Sequence, residues 1–295
     1  MTIEKLTVRQ RLRRRLTSGP IVVAPGIYDA YGARFVEQEG FEAAYMTGNG
    51  VSATLLGQPD VGLVDLTLMA SQAHRAAACI DIPLICDADT GYGNAVNVRH
   101  TVREFEAAGV AAIHLEDQVL PKRCGQLPGA RPVVELAEAV GKIEAAVAAR
   151  RDPDFIIIAR TDSAAGHGLD EAIRRGKAFI SAGADVVFAE LKMSPSILDD
   201  IKRVTGEVGG PCLANIAGGK LAALTTQELD GLGLRIAIYP GLARNAAGFA
   251  MREAMQTLKR DGNVQAMKDR MLSAEQYAAT IGIADVEAWE KRFLK

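Results

Sequence analysis

Cysteine is scarce: Cys79, Cys86, Cys124 and Cys212 are the only four in 295 residues. Their scatter gives neither a metal-knuckle spacing nor a disulfide framework. A reducing cytoplasm is therefore the expected compartment. No apolar run approaches the roughly 20 residues that span a membrane. The N-terminus has charges but no apolar stretch behind them, so no secretory signal is visible. Charge of one sign is also missing. A formal net charge of -2 argues against a broad basic face for nucleic acid. The one basic cluster, Arg9, Arg11, Arg13, Arg14 and Arg15, carries Leu6, Leu12 and Leu16 at helical spacing and reads as a solvated helix face. No Gly-x-Gly-x-x-Gly follows the first apolar run, which counts against a dinucleotide fold.

What remains is an ordinary globular composition, 48% hydrophobic and 24% charged, ample for a sizeable core. Eight short apolar runs recur. They begin at Ile21, Ala43, Pro83, Ala111, Phe155, Asp185, Pro211 and Arg235. Continuous runs of this length suit parallel strands covered on both faces. Between them lie helical patterns, such as Val134 to Ala149 and Leu169 to Ala182, the latter ending in Gly183. Eight alternations predict a (β/α)8 barrel of the TIM type. A doubly wound open sheet is the other arrangement, because periodicity cannot show closure. One domain over residues 1–295 is expected, with a helical extension from about Phe249 to the C-terminus. Those added apolar helices need either their own barrel or a partner subunit to cover.

Polar residues gather where the strands should end: Asn49, Asp87, Asp89, His114, Glu116, Arg160, Glu190 and Asn215. In a barrel these positions share one rim. Asp87-Ala88-Asp89 aims both acids roughly one way, and Glu116 adds a third from the next strand. Three carboxylates suit a hard cation, Mg²⁺ or Mn²⁺, better than zinc. Lys122-Arg123-Cys124-Gly125 places a thiol beside two cations in a loop. Such neighbours favour the thiolate. That thiol is a nucleophile, an acid or a redox sensor. Tyr45, at the end of the second strand, is a candidate base or a core aromatic.

The segments Thr47-Gly48-Asn49-Gly50, Asp87-Ala88-Asp89-Thr90-Gly91-Tyr92-Gly93, His114-Leu115-Glu116-Asp117-Gln118 and Lys122-Arg123-Cys124-Gly125 resemble the isocitrate lyase and phosphoenolpyruvate mutase superfamily. The match extends through Ile158 to Asp162 and Leu213 to Ile216. The Lys-Arg-Cys-Gly loop marks the carbon–carbon lyase branch, with resemblance to 2-methylisocitrate lyase and 2,3-dimethylmalate lyase. The resemblance implies a barrel that assembles as a homotetramer exchanging C-terminal helices. It implies Mg²⁺ held by Asp87, with Asp60, Asp89 and Glu116 acting mainly through water. Thr47, Gly48 and Asn49 would offer the first donors to a small carboxylate substrate. Arg160 would grip a carboxylate or oxyanion. Glu190, His114, Lys122 and Asn215 would complete the shell. The Cys124-Gly125 loop would close over the substrate, with Cys124 as general acid.

The implied reaction is cleavage of a 2-hydroxy di- or tricarboxylate, of alkylated-malate or methylisocitrate type, into a 2-oxo acid such as pyruvate plus a carboxylate. Two departures bear on the substrate. Gln126 stands where methylisocitrate lyases usually have His. Ala217 and Gly218 stand where they carry a hydroxyl and an acid for the third carboxylate. Arg244 is shifted by one from the family's arginine. Lys220 could restore a charge partner. The lost donors favour a dicarboxylate, whereas Lys220 as a charge partner would keep a larger substrate possible. An oxaloacetate hydrolase or decarboxylase, a non-catalytic metal- and carboxylate-binding protein, and a thiol redox sensor are the rival readings.

Overall fold

A run such as Phe155-Ile156-Ile157-Ile158 has no polar face, so it is stable only where both faces are covered. In the computed structural model, which describes residues 6–192 and 194–294, that run sits within a ring of parallel strands. In chain order the elements begin with α1 Val8–Thr17, β1 Val22–Ile27, α2 Ala30–Gln38, β2 Ala44–Met46 and α3 Gly48–Leu56. Then come α4 Leu66–Ala77, β3 Leu84–Asp87, α5 Ala95–Ala107, β4 Ala112–Glu116 and α6 Leu136–Ala149. Next are β5 Ile156–Thr161, α7 Ala164–His167, α8 Leu169–Ser181, β6 Val186–Ala189, α9 Ile197–Glu207 and β7 Leu213–Asn215. The last are α10 Thr226–Gly231, β8 Ile236–Tyr239, α11 Leu242–Asp261, α12 Ala274–Ile281 and α13 Ile283–Phe293.

The strands pair in the order β6-β5-β4-β3-β2-β1-β8-β7, all parallel. A parallel bridge between Val187 and Cys212, with the Val187 N–H donating to Pro211 O at 2.9 Å, joins β6 to β7. The sheet is thus a (β/α)8 barrel and not an open one. β1 runs further than its apolar start suggests, to Ile27, because Ala24 and Pro25 pair with Ile238 and Tyr239. Gly26 is needed there: a Cβ would lie 2.6 Å from the Tyr239 and Pro240 carbonyl oxygens.

Side-chain parity then decides what faces inward. Ile156 and Ile158 belong to the inner cluster with Ile85, Val186, Phe188, Leu213 and Ile236, whereas Ile157, Ile113 and Val187 pack outward against the helices. Continuing the same parity to the carboxyl ends turns Thr47, Asp87, His114, Glu116, Arg160, Glu190 and Asn215 into the barrel mouth. The opposite end is plugged by α1, whose Leu12 and Leu16 join the inner cluster. Its arginines are not a solvated face. Arg9 bonds Asp152 at 2.9 Å, Arg13 bonds Asp185 at 3.0 Å, and Arg15 bonds Glu42 at 2.6 Å. Buried leucines hold the helix across the floor, so its arginines fall within reach of the loops there.

The helix carrying Phe249 begins at Leu242, directly after β8. α12 returns to α2, with Gln38 donating to the Ala279 and Thr280 carbonyls at 3.4 Å. Phe249, Met251, Met255, Trp289 and Phe293 on α11 and α13 are exposed. Among the described residues no helix is long and apolar enough to cross a membrane.

Candidate active site

Asp87 ends β3 at the floor of the mouth. Its Oδ2 accepts the Gly48 N–H at 3.2 Å and its Oδ1 accepts the Asp89 N–H at 3.0 Å. Gly48 opens α3, whose N-cap is Thr47; the Thr47 hydroxyl accepts the Gly50 N–H at 3.4 Å. A Cβ on Gly48 would lie 2.7 Å from Asp87 Oδ2 and 3.4 Å from Asp89 Oδ1. Both acids therefore converge on the space a side chain would need. Asp89 has a left-handed φ of 50°, and Tyr92 one of 60°. This strained turn carries the Asp89 carbonyl back to accept the Glu116 N–H at 2.8 Å. Gly48→Ala is expected to push Asp87 aside and lower kcat/KM about 100-fold, since displacements near 1 Å at a reacting centre cost that much; steady-state kinetics beside a melting curve checks it.

Lys122 bridges Asp60, at 2.8 Å, and Asp89. Burial opposes its charge, but Asp89, Asp87, Glu116 and Asp60 hold its pKa well up. Arg160 reaches Glu116 at 3.2 Å, Asp162 at 3.0 Å and Glu190 at 3.8 Å. Arg131 shares Asp162 at 2.6 Å. Asn215 donates to Glu190 at 3.1 Å, and Gln118 donates to Glu116 at 2.9 Å. Burial pushes Glu116 up to about 8 and Asp89 up to about 7. Burial would also raise Asp87, but His114, Lys122 and Arg160 hold it below the usual carboxylate range.

His114 is fully buried beneath Asp87, 3.6 Å from it. Burial pushes its pKa down to about 4, so the imidazole is neutral at pH 7. It pairs with Tyr45 through Nε2 at 2.8 Å. Burial first, and Asp87 next, hold the Tyr45 phenol well above its usual range. The phenol and the imidazole share this hydrogen bond, and which of them donates is set by the imidazole tautomer.

Cys124 is buried, yet its side chain faces the mouth. The cations beside it in sequence do not attend it. Lys122 is held by Asp60 and Asp89, and Arg123 donates to Pro128 O at 3.0 Å. That corrects the expectation of a thiol whose two neighbouring cations favour the thiolate, because buried carboxylates and a loop carbonyl draw both charges away. The loop is clasped at its base by an antiparallel bridge between Gln118 and Val133.

One cavity of about 640 Å³ fills the mouth. Thr47, Asn49, Asp60, Asp87, Cys124, Gly125, Arg160, Glu190, Asn215 and Tyr45 line it. Gly48, Asp89, His114, Glu116 and Lys122 lie behind this wall and support it. Sequence reading left out Arg131 and Lys192, which reach the cavity together with Arg244. Lys192 continues the alternation two residues past Glu190, whereas Arg131 lies in a loop and Arg244 on α11, where strand parity does not apply. Arg244 contacts Asn49 Oδ1 despite its shifted position. Lys220 instead turns to Pro195 O at 3.5 Å and adds no charge to the cavity.

A closed barrel whose mouth crowds acids, arginines and a thiol into one cavity defines an enzyme for small anionic substrates. The chain belongs to the phosphoenolpyruvate phosphomutase family, whose profile matches residues 12–259. It is 44% identical over 284 residues to 2,3-dimethylmalate lyase of Eubacterium barkeri, covering 96% of this chain and 97% of that one. It is 40% identical over 262 residues to 2-methylisocitrate lyase of Shewanella oneidensis, covering 88% of each. Among solved structures, a phosphonopyruvate hydrolase in complex with oxalate and Mg²⁺ superposes with a TM-score of 0.89 at 34% identity, covering 98% of this chain and all of that one (100%).

Proposed function

We propose that this protein, a carbon–carbon lyase, splits a 2-hydroxy dicarboxylate of the alkylated-malate type into a 2-oxo acid such as pyruvate and a monocarboxylate. The observation that carries this reading is the meeting of Asp87, Arg160 and Cys124 in one cavity whose lining includes the apolar Ile216, Ala217, Ala222 and Leu242. Apolar lining suits alkyl substituents. It leaves a third carboxylate without a donor at Ala217 and Gly218, and an unpaired buried carboxylate is costly.

The donor set fits a divalent cation, Mg²⁺ or Mn²⁺. Six carboxylates, those of Asp60, Asp87, Asp89, Glu116, Asp162 and Glu190, face three paired cations, Lys122, Arg131 and Arg160. Among the described residues no three His, Cys, Asp or Glu side chains form a ready metal cage. An ion held by one carboxylate plus water and substrate is the usual habit of Mg²⁺. Asp87 would hold it directly, and Asp60, Asp89 and Glu116 would do so through water. When bound, the ion supplies positive charge to the oxygens of a 2-oxo acid.

The chain's own residues account for the rest. Arg160 offers its guanidinium to the substrate's oxygen charge. Loss of the 2-hydroxyl proton to a base, for which Tyr45 in the cavity lining is the candidate, lets the carbonyl form as the adjacent C–C bond breaks. The electron pair departs on the second fragment. Cys124, itself buried although Gly125 to Ala130 of its loop are exposed, protonates that carbanion.

The deciding experiment is a panel of 2-hydroxy di- and tricarboxylates with Mg²⁺, followed by 2-oxo acid release. A higher kcat/KM for methylisocitrate than for any alkylated malate would overturn the substrate. Metal binding should also depend on pH. An ordinary carboxylate titrates near 4, whereas Glu116 and Asp89 reach about 8 and about 7. Their protonated forms favour the folded, metal-free protein at low pH, and that contribution is lost as pH rises through 7 and 8. A cation needs the ionised forms, so the rise in melting temperature on adding Mg²⁺ is expected to be larger above pH 8 than at pH 6. Scanning fluorimetry measures it.

The exposed apolar side chains of α11 and α13 support assembly as a homotetramer with exchanged C-terminal helices, which light scattering tests. Four unpaired cysteines fit a reducing cytoplasm.

A further inference from the structure

The sulfur of Cys124 meets nitrogen donors instead of charged side chains. Asn49 Nδ2 lies 3.4 Å from Sγ, and the Gln126 backbone N–H donates to it at 3.5 Å. A side-chain amide can turn either end to a neighbour. Here the choice is forced, because Arg244 reaches Asn49 Oδ1 and a guanidinium only donates. Arg244 is in turn steadied by Asn245 Oδ1, at 3.2 Å from Nη2 and 3.3 Å from Nε. The Asn49 NH₂ must then face the sulfur.

We propose that the Asn49 amide, oriented by Arg244, and the Gln126 N–H form a cradle that receives negative charge on Cys124 when its proton is transferred. This rests on the lyase reading above. With both donors aimed at its lone pairs, the sulfur keeps its S–H free for the cavity. In the step, the S–H bond breaks and a C–H bond forms with the carbanion's electron pair. The S–H pair stays on sulfur, so the charge moves from carbon to sulfur. Hydrogen bonds to the charged sulfur are stronger than those to the neutral thiol. Arg244 touches neither sulfur nor proton; it is a positioning residue. Without it the amide can reverse, and Oδ1 would then hold the thiol proton away from the substrate.

Three variants test this. Asn49→Asp keeps the shape and the acceptor for Arg244 but turns a carboxylate oxygen to the sulfur. Its kcat is expected to fall about 100-fold, and KM to rise as well because Asn49 also lines the cavity of an anionic substrate. Arg244→Gln should lose about tenfold in kcat, with little change in KM, and Arg244→Lys, which still only donates, should recover most of that loss. The rate of Cys124 alkylation by iodoacetamide at neutral pH gives a reading that needs no substrate. With Cys124→Ser as the blank, Asn49→Asp should react about tenfold more slowly, because a carboxylate opposes the thiolate.

A tenfold rise in KM with kcat unchanged in Arg244→Gln would make Arg244 a substrate ligand and overturn its positioning role. Alkylation of Asn49→Asp at the parent rate would overturn the cradle. If the parent enzyme turns over no panel substrate, the lyase reading fails, and alkylation alone still decides the cradle.

Discussion

The Asp87→Asn variant is expected to lose about 1,000-fold in kcat/KM, equivalent to about 4 kcal/mol of transition-state stabilisation. Both oxygens of Asp87 are acceptors, Oδ2 for Gly48 N–H and Oδ1 for Asp89 N–H. An asparagine has one acceptor and one NH₂, so one of these backbone donors would face another donor. The substitution also removes the charge of an acid whose ionised form the buried cations Lys122 and Arg160 favour. Loss of the proposed direct ligand should abolish the Mg²⁺-dependent rise in melting temperature along with activity. Retention of that rise, with kcat/KM within tenfold of the parent, would sink the assignment of Asp87.

The second large effect belongs to Cys124→Ser. A positioned general acid contributes about 10²- to 10⁴-fold, and a serine hydroxyl is far too weak an acid to take the role at neutral pH. Turnover of the best malate derivative should fall within that range while KM changes little. Oxaloacetate cleavage, measured on the same preparation, separates the rival chemistry. If the parent acts on oxaloacetate and the serine variant keeps that activity, the cavity serves a hydrolase or decarboxylase that needs no thiol proton.

Much of the site is written in strand parity. Inward positions alternate along each strand, and every polar residue at a carboxyl end continues an apolar series already facing the axis. Asp87 follows Ile85, Arg160 follows Ile158, Glu190 follows Phe188 and Asn215 follows Leu213. The same period made the eight strands legible, because a ring covered on both faces leaves no polar stripe to blur the runs. The floor helix was harder to read. Its arginines have no partner nearby in sequence, and Asp152, Asp185 and Glu42 become partners only once α1 lies across the strand starts.

The sequence by itself determined the strand–helix alternation and which strand-end residues turn toward the barrel axis, since both follow from local period and from side chains set on a fixed lattice of Cβ directions. Tertiary structure alone decided closure, through Val187 and Cys212. It also decided which charge meets which. Buried carboxylates at the rim capture cations from whatever element folds within reach, so Lys122 goes to Asp60 and Asp89. Arg244, far along the chain, comes instead to orient the amide beside Cys124. A desolvated charge is stable only when paired, and pairing depends on distance in space, which neighbouring positions in sequence do not specify.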